Sequence, residues 1–532
     1  MRVLIRLGAF FVVVFLLLPK AWGQAQVFPQ WTARFHFENA LNSPADSALN
    51  SIAVDSQGNS YVTHTVCLDF INCLADTESL TIKYDADGHL QWKAWLSGPI
   101  HHASSVAVAV DAVGNAYVLA VIVLNNDTSG GLMDQEFATA KYAPNGTRLW
   151  IRFIHNGTRT YQPLRLAVSP QGNVYITGTS APPRLDPDEL LTFKYDTNGN
   201  QLWARTESMF GLVPSQSITG FALDGNEDVF IATNEESTGF FSAGVTKYDK
   251  DGNIVPGTGG VGIAGEIDVL RVDSQENVYA SGTVITDNFN VPPHPITEKV
   301  DAAGHLVWEN DNVSGTDIAP DRNGNLYVAS FGTLRKFGSS GVQLWSAPLT
   351  DSPVNLAVNA FGDVYVAGLH SVTKYSPAGA KLWTQPFTGS AAAMTIGGDG
   401  ALVVTGSAAA PTGSGNDWIT TNYIQDAAKL TPATLSFGNE LLGKQSASQT
   451  VTLTNTSSEV PLIIKSITVT GDFHLTNNCP ATLAQGASCK LGVTFTPTEL
   501  GARTGTLSVL DEWEGSEHNP QTVKLSGTGV AP

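Results

Sequence analysis

Positive charge is scarce in this sequence. Lysine and arginine total 29 against 48 aspartates and glutamates, for a formal net charge of −19 at pH 7. Removing Arg2, Arg6 and Lys20 with an N-terminal leader leaves 26 bases against 48 acids, a net charge of −22. Such a field repels phosphate backbones and anionic lipid, so nucleic acid and membrane surfaces are expected to be poor partners. Long apolar runs are also missing. The one candidate, Leu7 to Leu18, is roughly a dozen residues, too short to span a bilayer. It follows Arg2 and Arg6, breaks at Pro19 and gives way to the small-residue stretch Ala21-Trp22-Gly23. Residues 1–23 are therefore expected to be a secretory signal peptide, and no cysteine follows the run to make a lipoprotein anchor. Export places the mature chain in an extracellular or periplasmic compartment. Cysteine is rare too: the four present are even in number, as expected where disulfides form. Cys67 and Cys73 sit close together and are expected to pin a local loop. Catalytic signatures are absent as well: there is no G-x-S-x-G elbow, H-E-x-x-H pair or P-loop. His101 and His102 are adjacent, so on a strand they point to opposite faces and cannot readily share a metal.

What the sequence has in abundance is a repeat of short alternating runs. The stretch from Val354 to Trp383 carries Leu356-Ala357-Val358, Val364-Tyr365-Val366 and Val372-Thr373-Lys374-Tyr375, and ends on Leu382-Trp383. Period-2 alternation between Gly-bearing turns predicts antiparallel strands. Four such strands make one blade of a β-propeller. The first two strands return from Ile52, Val108, Leu166, Phe221, Leu270, Ile318 and Met394, giving about eight copies in all. The third strand and its turn return in forms such as "IKYDADGHLQW", "FKYDTNGNQLW" and "RKFGSSGVQLW". The propeller is expected over residues 30–424. No fourth strand follows the eighth unit, whereas Gln30-Trp31-Thr32-Ala33-Arg34-Phe35 stands alone before the first and matches Gln91-Trp92-Lys93-Ala94-Trp95. The N-terminal strand is therefore expected to complete the last blade and close the ring, removing open sheet edges. Eight blades is the direct count; seven is the alternative if the copy at Met394 is incomplete.

The core "VD-x-x-G-N-x-Y-V" of these copies resembles the bacterial SBBP β-propeller repeat, and NHL-type propellers are similar in pattern. That resemblance implies exported or cell-surface proteins without assigned chemistry. The "YD-x-x-G-x-x-x-W" spacing also resembles the tryptophan motif of quinoprotein dehydrogenase propellers. There the tryptophan wedges between blades, so the likeness implies a structural role.

Strand alternation puts the turns after the first and third strands on one face, where they are short and uniform. The connections after the second strand lie on the other face and vary in length, from His64–Ser79 and Val121–Phe137 down to Phe331-Gly332. Long loops on a rigid scaffold are where binding usually sits. The candidate binding face therefore comprises Asp69, Phe70, Asp134, Asp186 and Asp188 from the first three connections. Glu235, Phe240, Phe241, Phe289 and His294 come from the next two. Aromatics beside acids suit a polysaccharide or a cationic ligand; the alternative is a solvated acidic rim. Asp85-Ala86-Asp87-Gly88, Asp196-Thr197-Asn198-Gly199 and Asp249-Lys250-Asp251-Gly252 resemble calcium loops, but the twelfth-position Glu is missing. Asp, Asn and Gly are also what tight turns require, so plain turns without a cofactor are expected and Ca²⁺ is the alternative.

After Ile424 the period stops. Residues 425–430 read as a linker, and 431–529 as six or seven alternating strands of an Ig-like β-sandwich. Cys479 and Cys489 bracket "PATLAQGAS" and are expected to close a disulfide. Leu435, Phe437, Gly438, the "TVTLTN" run, Gly471, Phe473, "VTFTP" and Gly501 resemble the ASPM/SPD-2/Hydin family and its "choice-of-anchor D" relatives. The resemblance implies an accessory adhesion or spacer module. The expected fold is all-β, an eight-bladed propeller followed by an Ig-like sandwich. The expected role is a secreted, monomeric, non-enzymatic binding or scaffold protein with an extracellular protein or polysaccharide partner. The alternative is a secreted propeller enzyme, a lyase or quinoprotein acting on carbohydrate.

Overall fold

The computed structural model describes residues 26–35, 51–67, 77–100, 102–125, 134–155, 160–181, 189–208, 217–237, 240–256, 262–286, 291–359, 362–397, 401–411, 416–426, 428–455, 461–513, 516–517 and 521–531. The expected signal peptide lies outside these residues. Among the described residues every regular element is a β-strand, and no helix is long and apolar enough to cross a membrane. The chain divides into a large unit, 27–425 with 512–518, and a smaller C-terminal one.

The large unit is a propeller-like succession of four-stranded antiparallel sheets, eight of them among the described residues. The first holds Ser51–Val54, Ser60–Cys67, Thr77–Tyr84 and Leu90–Leu96 in sequence order. Six more follow within 103–154, 160–208, 217–263, 265–310, 317–348 and 353–386. The eighth joins Ser390–Ile396, Leu402–Ala409 and Asn416–Asp426 to Gln26–Phe35, which pairs with Asn416–Asp426 as its fourth strand. First strands of successive sheets touch in order, and that of the eighth returns to that of the first. Thr32 and Thr421 hydroxyls lie 3.2 Å apart at this seam, and Arg34 pairs with Asp417 at 2.7 Å. Phe35 stacks on Trp418, which stacks in turn on the buried His64 imidazole of the first sheet at 4.0 Å.

One device recurs at several of the sheet-to-sheet interfaces, and the first shows it in full. In the turn after the first strand, Asp55 Oδ1 accepts from the amides of Gln57 and Asn59, and Oδ2 from Asn59 Nδ2. The Tyr61 hydroxyl lies 3.0 Å from both Asp55 Oδ2 and Gly114 O, and its one proton serves one of them. Lys83 lies over the Tyr61 ring at 5.0 Å and donates to Pro144 O of the second sheet at 3.1 Å. Trp92 Nε1 donates to that same carbonyl at 3.0 Å. Its indole rests on Gly146, whose φ is +86° and where an added Cβ would lie 2.7 Å from Trp92 Cγ. Only glycine serves there, because both the left-handed backbone and the ring contact exclude a side chain. Thr197 O, Lys250 O and Pro377 O likewise each accept from a lysine and a tryptophan of the preceding sheet. The seam uses the tryptophan half: Trp31 of the N-terminal strand donates to Ala86 O at 2.7 Å and covers Gly88.

The lysines are buried because each sheet is packed on both faces. Lys374 is fully buried and pairs with Asp363 at 2.7 Å. Such a charge is tolerated only when paired, and removal of one partner costs about 3–5 kcal/mol. The set is lost as a whole in the eighth sheet. Gly397, Val403 and Asn422 stand where the other sheets have the turn acid, the aromatic and the lysine.

In the C-terminal unit, Ala428–Thr431, Gln449–Asn455, Ser488–Phe495 and Phe473–Asn477 form one sheet. Ala428–Thr431 falls within the segment read as a linker; it pairs with Gln449–Asn455 and buries Ala428. The second sheet carries Thr434–Leu441, Gln521–Val530, Gly501–Trp513, Leu462–Val469 and Thr482–Leu483. Phe437 of the second sheet packs on Phe473 and Phe495 of the first at 5.6 and 6.0 Å. Cys479 and Cys489 are disulfide-bonded, with Cα atoms 5.0 Å apart.

Two measurements check these packing arguments. Trp31→Ala should cost about 3 kcal/mol of stability, read as a lower thermal midpoint, because it empties the seam's indole contact. The second concerns Glu298, buried at the interface between the fourth and fifth sheets. Burial, with Glu309 opposite, raises its carboxyl from 4.5 to about 7. The folded state then holds the proton more tightly than the unfolded chain does. This contribution is full below pH 4.5 and is lost as pH rises through 7. Glu298→Gln should raise the midpoint at pH 8 and leave it nearly unchanged at pH 5. His64 acts in the opposite sense: burial holds its imidazole down to about 3 from 6.5, so its contribution falls as pH drops below 6.5.

Candidate functional site

The residues expected on the long-connection face divide sharply. Asp69, Phe70, Asp186, Asp188, Phe289 and Cys73 lie outside the described residues. Asp134, Glu235, Phe240 and Cys67 occupy strand ends whose side chains are not described. Phe241 and His294 are half-buried on third strands of the fourth and fifth sheets, and His294 Nδ1 lies 3.4 Å from Pro292 O. Among the described residues the two short connections of this face expose Phe331 and Leu369.

The densest charge cluster lies on the opposite face, among the uniform turns. Ser169 takes the place of the usual turn acid in the third sheet, leaving Tyr175 and Lys194 without a carboxylate of their own. Glu227 supplies one from the next sheet: its carboxylate accepts from Lys194 and the Tyr175 hydroxyl at 2.8 Å, and from Asn173 Nδ2 at 3.0 Å. Burial would raise that carboxyl, but these bonds outweigh it and hold it down to about 2. A glutamate reaching in from the next sheet recurs one sheet on, although Asp224 keeps the turn acid there. Lys247 is gripped by Asp228 at 2.9 Å and by Glu276 of the fifth sheet at 2.8 Å. Burial opposes its charge, but these two carboxylates prevail and raise its pKa. Glu227 and Glu276 stand where other turns have glycine, with φ of 66° and 62°. A left-handed L-residue costs about 1–2 kcal/mol, which the ion pairs offset. Phe230 replaces the usual tyrosine in the fourth sheet, so Asp224 Oδ2 lacks the hydroxyl partner, and burial raises its pKa.

Asp224, Asp228 and Glu276 offer oxygens within 4.8 Å of one another, a spacing that could hold a cation. Lys247 already supplies the positive charge there. The calcium-like turns at Asp85, Asp196 and Asp249 direct their carboxylates inward: Asp196 and Asp249 each accept from two backbone amides and an Asn side chain. On the first strand of the sixth sheet, Asp317 accepts from Arg271 at 2.5 Å, and from Asn355 Nδ2 and the Leu356 amide. One buried carboxylate thus ties first strands of three successive sheets together. Burial raises its pKa despite these donors. Sequence reasoning missed these lysines and the two glutamates, although the recurring Lys-Tyr pair before each second turn was the available signal.

Residues 428–530 match the family described as Cep192 domain 4, in support of an Ig-like C-terminal unit. No curated protein matches the chain. Among solved structures, the chain is similar to a protein of unknown function from Bacteroides caccae, at 11% identity over 51% of this chain and 90% of that one, TM-score 0.30. It is also similar to a gluconolactonase from Xanthomonas campestris, at 13% identity over 56% and 94%, TM-score 0.29. PapD-like domain 7 of human CEP192 is similar at 16% identity over 20% and 87%, TM-score 0.16.

If Lys247 is the resident cation of the acidic cluster, calcium or EDTA should leave the melting temperature of the unaltered protein unchanged. Lys247→Ala should melt lower and regain stability on addition of calcium. A calcium-dependent melt in the unaltered protein would contradict this assignment.

Proposed function

We propose that this chain is a secreted or cell-surface binding protein. Its large unit is an eight-bladed propeller completed by the N-terminal strand, and its C-terminal unit is an Ig-like sandwich serving as spacer. The ligand is an extracellular protein or polysaccharide, held on the face of long connections by a monomer without cofactor. The observation that supports this reading is the use made of the buried ionisable groups. Lys83, Lys141, Lys194, Lys336 and their tyrosines each join one sheet to the next. Groups committed to holding a ring together are unsuited to exchanging protons with a substrate. The turn face is regular, whereas the variable connections lie on the other face, where rigid-scaffold proteins carry specificity.

A glycan array probed with the purified chain tests this reading. Polysaccharide binding is expected, and shortening the connection between Cys67 and Thr77 to the length of Phe331-Gly332 should abolish it. Turnover of a bound polysaccharide would overturn the non-enzymatic reading. Binding that survives the shortened connection would overturn the choice of face.

A further inference from the structure

We propose that a cavity on the turn face, between the fifth, sixth and seventh sheets, is a binding site for a small organic carboxylate, anchored by Arg322. This does not depend on the reading of the other face. A cavity of about 320 Å³ opens where the first strands of the fifth, sixth and seventh sheets end. That is at the small end of the roughly 300–1,000 Å³ typical of small-molecule sites. Val272, Pro320 and Val358, the last residues of those three strands, give it an apolar strip, and Asp273, Asp321 and Asn359, the next residue of each chain segment, border it with polar groups. Ser274 and Arg322 line it from the following turns.

Arg322 is out of place by the logic of the repeat. It follows the capping acid of its turn, a position filled elsewhere by Ser56, Ala112, Pro170, Gly225 and Ser274. The turn has no use for a long cation there: the Asp321 turn closes through its own backbone and carboxylate, as the others do. The Arg322 side chain is exposed and makes no hydrogen bond or ion pair among the described residues. The two carboxylates in the lining are already committed. Asp273 accepts from the amides of Gln275 and Asn277, from Asn277 Nδ2 and from the Tyr279 hydroxyl. Asp321 accepts from the amides of Asn323 and Asn325 and from Asn325 Nδ2, with Lys336 Nζ at 3.6 Å.

The guanidinium is thus the uncommitted charge beside a cavity with an apolar strip along the three strand ends. Its planar fork matches a carboxylate through two parallel hydrogen bonds. The apolar strip favours an aromatic or aliphatic body over a polyhydroxylated one, because Asp273, Asp321 and Asn359 beside it are already hydrogen-bonded within their own turns. The ligand class is therefore a compact monocarboxylate, with benzoate and hexanoate as its probes.

Saturation-transfer NMR and calorimetry with the full chain test the site, using benzoate, hexanoate, glucuronate and the neutral benzyl alcohol. Benzoate and hexanoate are expected to bind, with benzyl alcohol about tenfold weaker for want of the charge-assisted pair. Glucuronate should bind more weakly than benzoate. Arg322→Gln should lose about tenfold in benzoate affinity, and Ser274→Trp should abolish binding by filling the cavity with Arg322 intact. Both positions are exposed, so neither variant should change the melting temperature. Benzyl alcohol binding as tightly as benzoate, unchanged affinity in Arg322→Gln or Ser274→Trp, or no benzoate binding at about 10 mM would each overturn the proposal.

Discussion

The large unit depends on an indole lying against a glycine turn of the neighbouring sheet, and at four interfaces among the described residues a lysine shares the same carbonyl acceptor. Sheet-on-sheet packing alone is non-directional and tolerates sliding. The shared carbonyl removes that freedom, because Trp92 and Lys83 converge on one oxygen, Pro144 O, from two strands of the first sheet. Dispersion and burial supply most of the attraction, and the paired donors fix the register. The seam keeps the tryptophan half of this arrangement through Trp31 and Ala86 O, so an interface between residues far apart in sequence is built partly like those between neighbours.

Placing a lysine inside such an interface creates an obligation that the repeat meets in more than one way. The usual source of negative charge is the acid that opens the turn. In the seventh sheet acid and amide have exchanged places, Asn359 opening the turn and Asp363 closing it, and the ion pair to Lys374 is kept. In the third sheet the acid is gone and Glu227 arrives from the next blade-like unit. In the eighth the lysine, aromatic and acid are absent together. A buried ammonium cannot be left uncompensated, so these positions vary as a group while the strands around them stay alike.

The strand pattern was legible because alternation and Gly-bearing turns are local signals. Trp31 was legible for the same reason, as a lone copy of a recurring strand. The lysines were not, because a charged residue beside a tyrosine on an alternating strand reads as the solvent-facing one. That inference fails where both faces of a sheet are covered, and Lys83, Lys141 and Lys374 are buried accordingly. Glu227 and Glu276 were hidden for a different reason: they replace glycine at a left-handed position, where a carboxylate looks like a defect until the buried lysine of the preceding sheet that it pairs with is known. The long connections were legible only as variable lengths. With no repeat partner to compare, their acids and aromatics carried no register, and only Phe241 and His294 among them can be placed by their side chains.

The fourth strand of the eighth sheet has a temporal consequence. Arg34 and Asp417 are 383 residues apart, so this pairing encloses nearly the whole large unit. Bringing such distant points together costs about 5 kcal/mol in chain entropy, by the logarithmic scaling of loop closure. Until residue 426 has emerged, Gln26–Phe35 has no strand to lie against, and the growing chain carries an unsatisfied edge at each end. Assembly of the earlier sheets shrinks the span that remains to be bridged. Annealing of the two termini is thus the natural last step of folding, and premature capture of either by another chain is its characteristic hazard.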